Sequence, residues 1–506
     1  MEAGLKKRSS LMRTLFASVV IGVVTCLASS GLALAQGSGR FLSERRIPER
    51  LDLFDLNLQQ TIRYAKIKNF EVVGHSYFKG PWLTPYAQEN GLGAGFNSMR
   101  VKDGIGYFAG YNTPPTLFGT LVVDVDDPRN MEPLSFIPCN PGTRCPYVRL
   151  DEEKKILIGT HDRSASNPTQ PPAGELPQAG ISFHDVSTPT NPRQLGFFLT
   201  QPGGATHGLD IDGRYVYACA NMPESKTVNG SNQEVVIVDY ADPQNPALVG
   251  RFHIEGQHVG EEFGPTDQPL PDGTQQAIWC HEIHYHKDRL YVAIRDAGVI
   301  ILDVTDRANP TLISQLDYVP PFSSGAFGAS HTFMPVITDE DEHPKLGVFT
   351  DEIFRCPPGF GRVIDITDLS NPQIISSYRI PHVNDDYNED TGEFFCPGTV
   401  QSAHMPWIDM RSPSLVYQAW YDQGLRVWNI QNPFLPREIG YYFSPPYPCV
   451  GSCGGSDPNG GALRHTREPY QDPDTGLIYV TDGNGGGVTV LKWTGRIPPP
   501  PIPGAR

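Results

Sequence analysis

Five histidines in this 506-residue chain stand at one position of a recurring unit. His207 opens THGLDIDGRYVYA, His281 opens CHEIHYHKDRLYVA with one extra residue in the turn, and His331 opens SHTFMPVITDED. His404 opens AHMPWIDMRSPSLVYQA and His465 opens RHTREPYQDPDTGLIYVT. Two earlier units carry Asn97 and Pro146 at that place. Imidazole suits zinc, copper, iron and nickel, and an all-nitrogen set disfavours calcium and magnesium. One histidine alone has many structural uses. Five matched ones out of 14 point instead to a transition-metal site, with copper or iron favoured over zinc. His284 and His286 lie further along the same strand as His281 and are secondary candidates.

A second pattern runs beside the first. Asp296, Asp351, Asp422 and Asp482, with Asn221, close the strand that follows each histidine-bearing strand. A carboxylate there can accept the distal N–H of an imidazole and fix its tautomer. Asp-Gly turn chemistry explains the same residues equally well. His161 and Asp162 occupy the same level one unit earlier, and Glu282 and Glu468 each follow a histidine closely. These four are expected at the mouth of the site, with Tyr147, Phe333, Trp407 and Tyr470 as aromatic walls or as core packing.

A structural metal has a closed coordination sphere, whereas a metal at an open mouth accepts water, O2 or a small organic substrate. The leading expectation is therefore a metal-dependent oxidoreductase of oxidase or oxygenase type. One alternative is a protein that binds a protein or glycan partner without catalysis. Another is metal-assisted hydrolysis, with Glu282 or Glu468 as base. No G-x-S-x-G elbow, Walker A motif or G-x-G-x-x-G after a strand is present, and GNGGG (483–487) reads as a hairpin turn.

What must position these residues is an array of short strands. An apolar strand, a turn combining Asp or Asn with Pro, and another strand recur in six stretches. They are LVVDVDDPRNMEPLSFI (121–137), ISFHDVSTPTNPRQLGFF (181–198), VVIVDYADPQNPALVGRF (235–252), VIILDVTDRANPTLISQL (299–316), RVIDITDLSNPQIISSY (362–378) and LRVWNIQNPFLPREIGYY (425–442). A pair of strands precedes each, giving four antiparallel strands in roughly 45 residues, the period of a propeller blade. A seventh unit begins near Arg464 but lacks its fourth strand, and NFEVVGHSYF (69–78) supplies a match. The expectation is an all-β, seven-bladed propeller over 69–495 whose N-terminal strand closes the last blade. In such a fold the innermost strands line a central channel, and their first residues ring one mouth.

The strands LVVDV, VVIVD and VIILDV with their D-x-x-N-P turns resemble the LVIVD-repeat family of exported β-propellers. The resemblance implies fold and location rather than chemistry. In architecture alone the pattern also resembles other histidine-lined propellers, the carotenoid-cleaving dioxygenases and the selenium-binding-protein-type methanethiol oxidases; their sequence motifs are not present.

The remaining composition bounds the rest. A net charge of −16 with scattered Lys and Arg argues against nucleic acid. Lys6, Lys7 and Arg8 precede an apolar run ending at Ala33-Leu34-Ala35, as in a signal peptide over residues 1–35. That implies a periplasmic or secreted protein with no membrane span after cleavage. Residues 36–68 read as a surface arm and 496–506 as a Pro-rich mobile tail. In an oxidising compartment Cys139/Cys145 and Cys449/Cys453 can close small loops. Pairing of Cys219, Cys280, Cys356 and Cys396 is open.

Overall fold

The computed structural model describes residues 56–110, 116–226, 233–261, 277–317, 330–339, 342–353, 358–380, 387–388, 393–394, 401–445 and 465–501. The expected signal peptide and Cys356, Cys396, Cys449 and Cys453 lie outside the described residues.

Seven antiparallel sheets follow one another as blades. Their innermost strands are Phe96–Lys102, Val148–Asp151, Thr206–Ile211, Glu282–His286, Ser330–Val336, Pro406–Ile408 and Thr466–Gln471. Blade seven is completed from the other end of the chain, where Phe70–Ser76 pairs antiparallel with Val488–Trp493. This closure leaves no open edge between the first and last blades. Within residues 36–68, helix Leu58–Tyr64 precedes a short strand, Lys66–Lys68, which adds a fifth strand to blade six.

Local chemistry explains the repeating turn. In blade four Asp303 Oδ1 accepts the N–H of Thr305 and Asp306 Oδ1 accepts that of Ala308. The same two-step arrangement recurs with Asp239 and Asp242, and with Asp365 and Asp368. Each carboxylate satisfies backbone donors that the ending strand leaves unpaired, so the chain reverses without burying an orphan N–H. The outer strands also explain their glycines. A Cβ on Gly196 or Gly250 would strike the carbonyl oxygen of Pro243 or Arg307 in the next blade's turn. The turn of one blade therefore seats on the glycine of its predecessor.

Apolar clusters fill the space between neighbouring blades, such as Ile237, Ile283, Val292 and Ile300 between three and four. Disulfides join Cys139 to Cys145 and Cys219 to Cys280. The second bridges blade three to the residue before His281. The tail, expected to be mobile, is held at its start. Ser412 and Ser414 donate to the carbonyls of Pro498 and Pro499 at 2.6 Å each. No helix among the described residues is long and apolar enough to cross a membrane.

Candidate metal centre

The backbone turns the histidines toward the axis by interrupting the strands at the same place. Ladder register shifts between Thr206 and Leu209, around His207, and between Ser330 and Thr332, around His331. A matching shift between Phe96 and Met99 brackets Asn97 in blade one. Such bulges re-aim a side chain that a regular strand would point elsewhere. His281 and His404 stand just before their strands, each anchored by its own N–H to the neighbouring strand, on Ala293 and Ala419.

The rings form a continuous arc. Centroids are 4.6 Å apart for His207 and His281, 4.1 Å for His281 and His331, and 4.2 Å for His331 and His404. His465 is brought to the same rim but does not touch His404. The ring of Tyr421 stands between them, 4.7 Å from His404 and 4.5 Å from His465. Tyr147 flanks the other end, 4.9 Å from His207.

Sequence reasoning missed the charged groups inside this arc. Glu352 faces it, with Oε2 at 3.6 Å from His331 Nε2 and Oε1 at 3.8 Å from His404 Nε2. Ligand atoms of His281, His331 and Glu352 all lie within 4.8 Å of one another. Arg295 pairs with Glu352 at 2.8 Å, and the Tyr421 hydroxyl donates to it. Arg467 Nη1 donates to His404 Nε2 at 3.3 Å and to the Tyr421 oxygen at 3.1 Å. Arg295 and Tyr421 occupy equivalent places in blades four and six, with φ of 39° and 31°. That left-handed backbone is strained for side chains of this size and is held by bridges to Ser330 and Thr466 of the next blades. A signal was present, since Arg295, Tyr421 and Glu352 each adjoin an aspartate read as the orienting group. At Arg295 and Tyr421 the left-handed backbone re-aims the side chain. The neighbour, not the aspartate, faces the hub.

The aspartates consequently do a different job. Asn221 accepts the N–H of Ala205, Asp296 that of Ala277 and Asp482 that of His465. They hold the backbone that enters each histidine-bearing strand rather than the imidazole. Asp351 pairs with Arg362. Asp422 is buried beside Tyr421. The ring partners are other groups. His207 Nδ1 lies 2.6 Å from Asp162 Oδ2, His404 Nδ1 is 2.7 Å from the Arg467 carbonyl, and His465 Nδ1 is 2.7 Å from Asn484 Oδ1. Asp162 therefore supports a ring from the preceding blade. His161, its neighbour, points the other way and bonds Ser182 at 3.0 Å beside the Cys139–Cys145 bridge, away from the arc.

Burial governs the electrostatics. It drives His281, His331 and His465 well below the usual imidazole value, and His404 to about 3. The rings are neutral at physiological pH and keep a lone pair each. Burial opposes ionisation of Glu352, yet Arg295, His404, Arg467 and the Tyr421 hydroxyl bring its carboxyl down to about 2. Glu282 behaves oppositely, pushed up to about 8 by burial despite nearby Arg149.

Several residues expected at this mouth lie elsewhere. Glu468 accepts the Met99 N–H at 2.6 Å and pairs with Arg100 at 3.2 Å, further along the channel. Trp407, Tyr470 and His284 line a cavity at the far ends of the inner strands. Phe333 is core between blades four and five, the packing role also considered for it, and His286, further along its strand as expected, bonds the Glu342 carbonyl. The reason is strand rise: three residues carry a side chain roughly 10 Å down the channel. A second His/Glu group, Glu234, His253 and His258, lies off the axis, where Arg251 and Glu261 already satisfy its charges.

The LVIVD repeat family matches residues 287–317, so blade four carries that repeat. No curated protein matches this chain significantly. Among solved structures it is similar to the computationally designed Ika8 protein, at 10% identity over 78% of this chain and 96% of that one, with a TM-score of 0.40. It is also similar to the WD40 β-propeller domain of Doa1, at 9% identity over 84% and 97%, with a TM-score of 0.46.

Proposed function

We propose that this protein is an exported, metal-dependent oxidoreductase of oxidase or oxygenase type, holding copper or iron at the histidine mouth and acting on a small organic substrate. One observation carries the reading. His281 Nδ1 and His331 Nε2 are buried without a hydrogen-bond partner, in the same group as the ionised Glu352. An unpaired buried ring nitrogen costs roughly 1–3 kcal/mol, and a coordinated cation would remove that cost. Neutral imidazoles plus one carboxylate also suit a borderline transition metal.

His281, His331 and Glu352 are the centre of the donor set, and His207 extends it, with Asp162 holding Nδ1 so that Nε2 can face the ion. His404 enters only when the Arg467 guanidinium withdraws from its Nε2. His465 stands outside, behind Tyr421. A bound copper or iron would supply one-electron chemistry and polarise oxygen ligands. The chain itself would position Tyr421, whose hydroxyl holds a proton against Glu352, and Arg295 and Arg467, which favour anionic substrate or product beside it.

Metal analysis of the purified, supplemented protein tests this. Stoichiometric copper or iron, lost in a folded His281→Ala/His331→Ala variant, supports the redox reading. Absence of bound metal would leave a binding propeller without catalysis. Zinc would favour hydrolysis, although Glu282 is protonated near neutral pH and Glu468 is engaged by Arg100, so neither suits the base that reaction needs.

A further inference from the structure

At the far ends of the inner strands the channel opens into a cavity of about 480 Å³ to which every blade contributes. It lies three residues beyond the histidine level: Arg100 follows Asn97, Arg149 follows Pro146, and Asp210, His284 and Trp407 follow His207, His281 and His404. None of these groups belongs to the histidine arc.

The walls divide by chemistry. Trp407, Tyr285 and Tyr470 contribute flat aromatic rings and Met334 an apolar chain, with the Arg100 guanidinium 5.2 Å from the Tyr470 ring centre and 5.8 Å from that of Trp407. Two arginines meet on the same floor. Arg149 gives Nε to Asp210 at 3.2 Å and Nη1 to the Val148 carbonyl, and Arg100 gives Nη1 to Glu468. Their Nη2 groups are not spent on those partners. Their side chains are only 7% and 11% exposed, so two guanidiniums, each paired with one carboxylate, are held together largely out of bulk water. Burial, and then the charge of Arg149, keep Arg100 below the usual guanidinium range. Two further polar atoms have no hydrogen-bond partner, His284 Nε2 and Trp407 Nε1. An unfilled site would leave these two ring nitrogens without a partner.

We infer that this cavity is a binding site for a small organic carboxylate with a flat apolar body, its carboxylate on Arg100 and Arg149 and its body between Trp407, Tyr470 and Met334. Guanidinium forks match carboxylates in geometry, and aromatic walls accept a planar ring. A volume of this size suits a one- or two-ring molecule. The inference goes beyond the oxidoreductase reading and does not depend on it.

Calorimetric titration of the purified full-length protein with benzoate, indole-3-acetate and the neutral isostere benzamide tests it. At least one carboxylate is expected to bind with a Kd below ~1 mM, benzamide at least ~10-fold more weakly. Arg149→Gln is expected to cost benzoate ~10-fold or more and to leave benzamide unchanged. Because that change also unpairs Asp210, Met334→Trp serves as the second variant: it fills the cavity with both arginines intact and should abolish binding, with metal content unaltered. No binding of either carboxylate up to ~10 mM would overturn the inference, since that is weaker than ~3 kcal/mol. So would equal affinity for benzamide, or wild-type affinity in folded Met334→Trp.

Discussion

The two ends of the channel are built from the same seven strands, three residues apart, and they differ in how the backbone treats its side chains. At the histidine end the strands bulge around His207 and His331, and Arg295 and Tyr421 accept left-handed backbone to face the axis. At the far end the strands have regained register, and long side chains simply project: Arg100, Arg149, Trp407 and Tyr470. A repeated irregularity yields a ring of like residues, suited to one ion on an axis. Regular strands of unlike sequence yield an asymmetric cavity, suited to a molecule with a charged end and an apolar end.

Removing the charge at the hub should break this contrast most severely. Glu352→Ala leaves Arg295 buried without its carboxylate, a change expected to cost on the order of 3–5 kcal/mol. Chemical denaturation would show a lowered midpoint, and metal content should fall together with it. The double variant His281→Ala/His331→Ala should cost less stability but more metal: affinity is expected to drop ~100-fold or more, beyond the range for loss of an outer-shell partner. Competition with a chromophoric chelator would read this, while benzoate binding at the far end should be unchanged. Equal loss at both ends would mean that the two mouths are one coupled site.

The middle of the channel sharpens the comparison through pH. Glu282 titrates at about 8 in the fold against an ordinary value of 4.5, so the folded state holds a proton that the unfolded state releases. Stability from this group is complete below pH 4.5 and is lost as pH rises through about 8, by about 1.4 kcal/mol per unit across that window. Glu282→Gln keeps a neutral side chain and should remove this contribution, while the opposite slope from the buried histidines stays the same in both proteins. The urea midpoint of the variant should therefore rise relative to that of the wild type between pH 5 and pH 8.

Much of this architecture was legible because it is local and repeated. The Asp-x-x-Asn-Pro turns satisfy their own backbone within a few residues, so each blade announces its boundaries, and alignment of blades then puts the histidines in register. Other features depend on contacts that no repeat records. The Cys219–Cys280 bridge joins residues 61 apart in different blades. At Arg295 and Tyr421 the sign of one φ decides that they, and not the aspartates beside them, face inward, and no repeat records that sign. Trp407 and Tyr470 follow His404 and His465 closely in sequence, which suits either the histidine mouth or core packing, yet strand rise carries them to the cavity at the other end, where they pack on one another.

The mildest test concerns Asp162, whose carboxylate is also held by Arg144 at 3.1 Å. Asp162 reaches from blade two to hold His207 Nδ1 at 2.6 Å, and His207 sits at the end of the arc rather than against Glu352. Burial pulls His207 below its usual value while Asp162 pulls the other way, so the carboxylate steadies the ring without charging it. Asp162→Asn should keep the fold and the ring's approximate place but loosen its tautomer, lowering metal affinity by ~10-fold, at the low end for such partners. The Arg149–Asp210 pair at the far end is independent of this contact, so benzoate affinity should not move. A loss as large as that of the double histidine variant would show that His207, and not the His281–His331–Glu352 group, is the principal ligand.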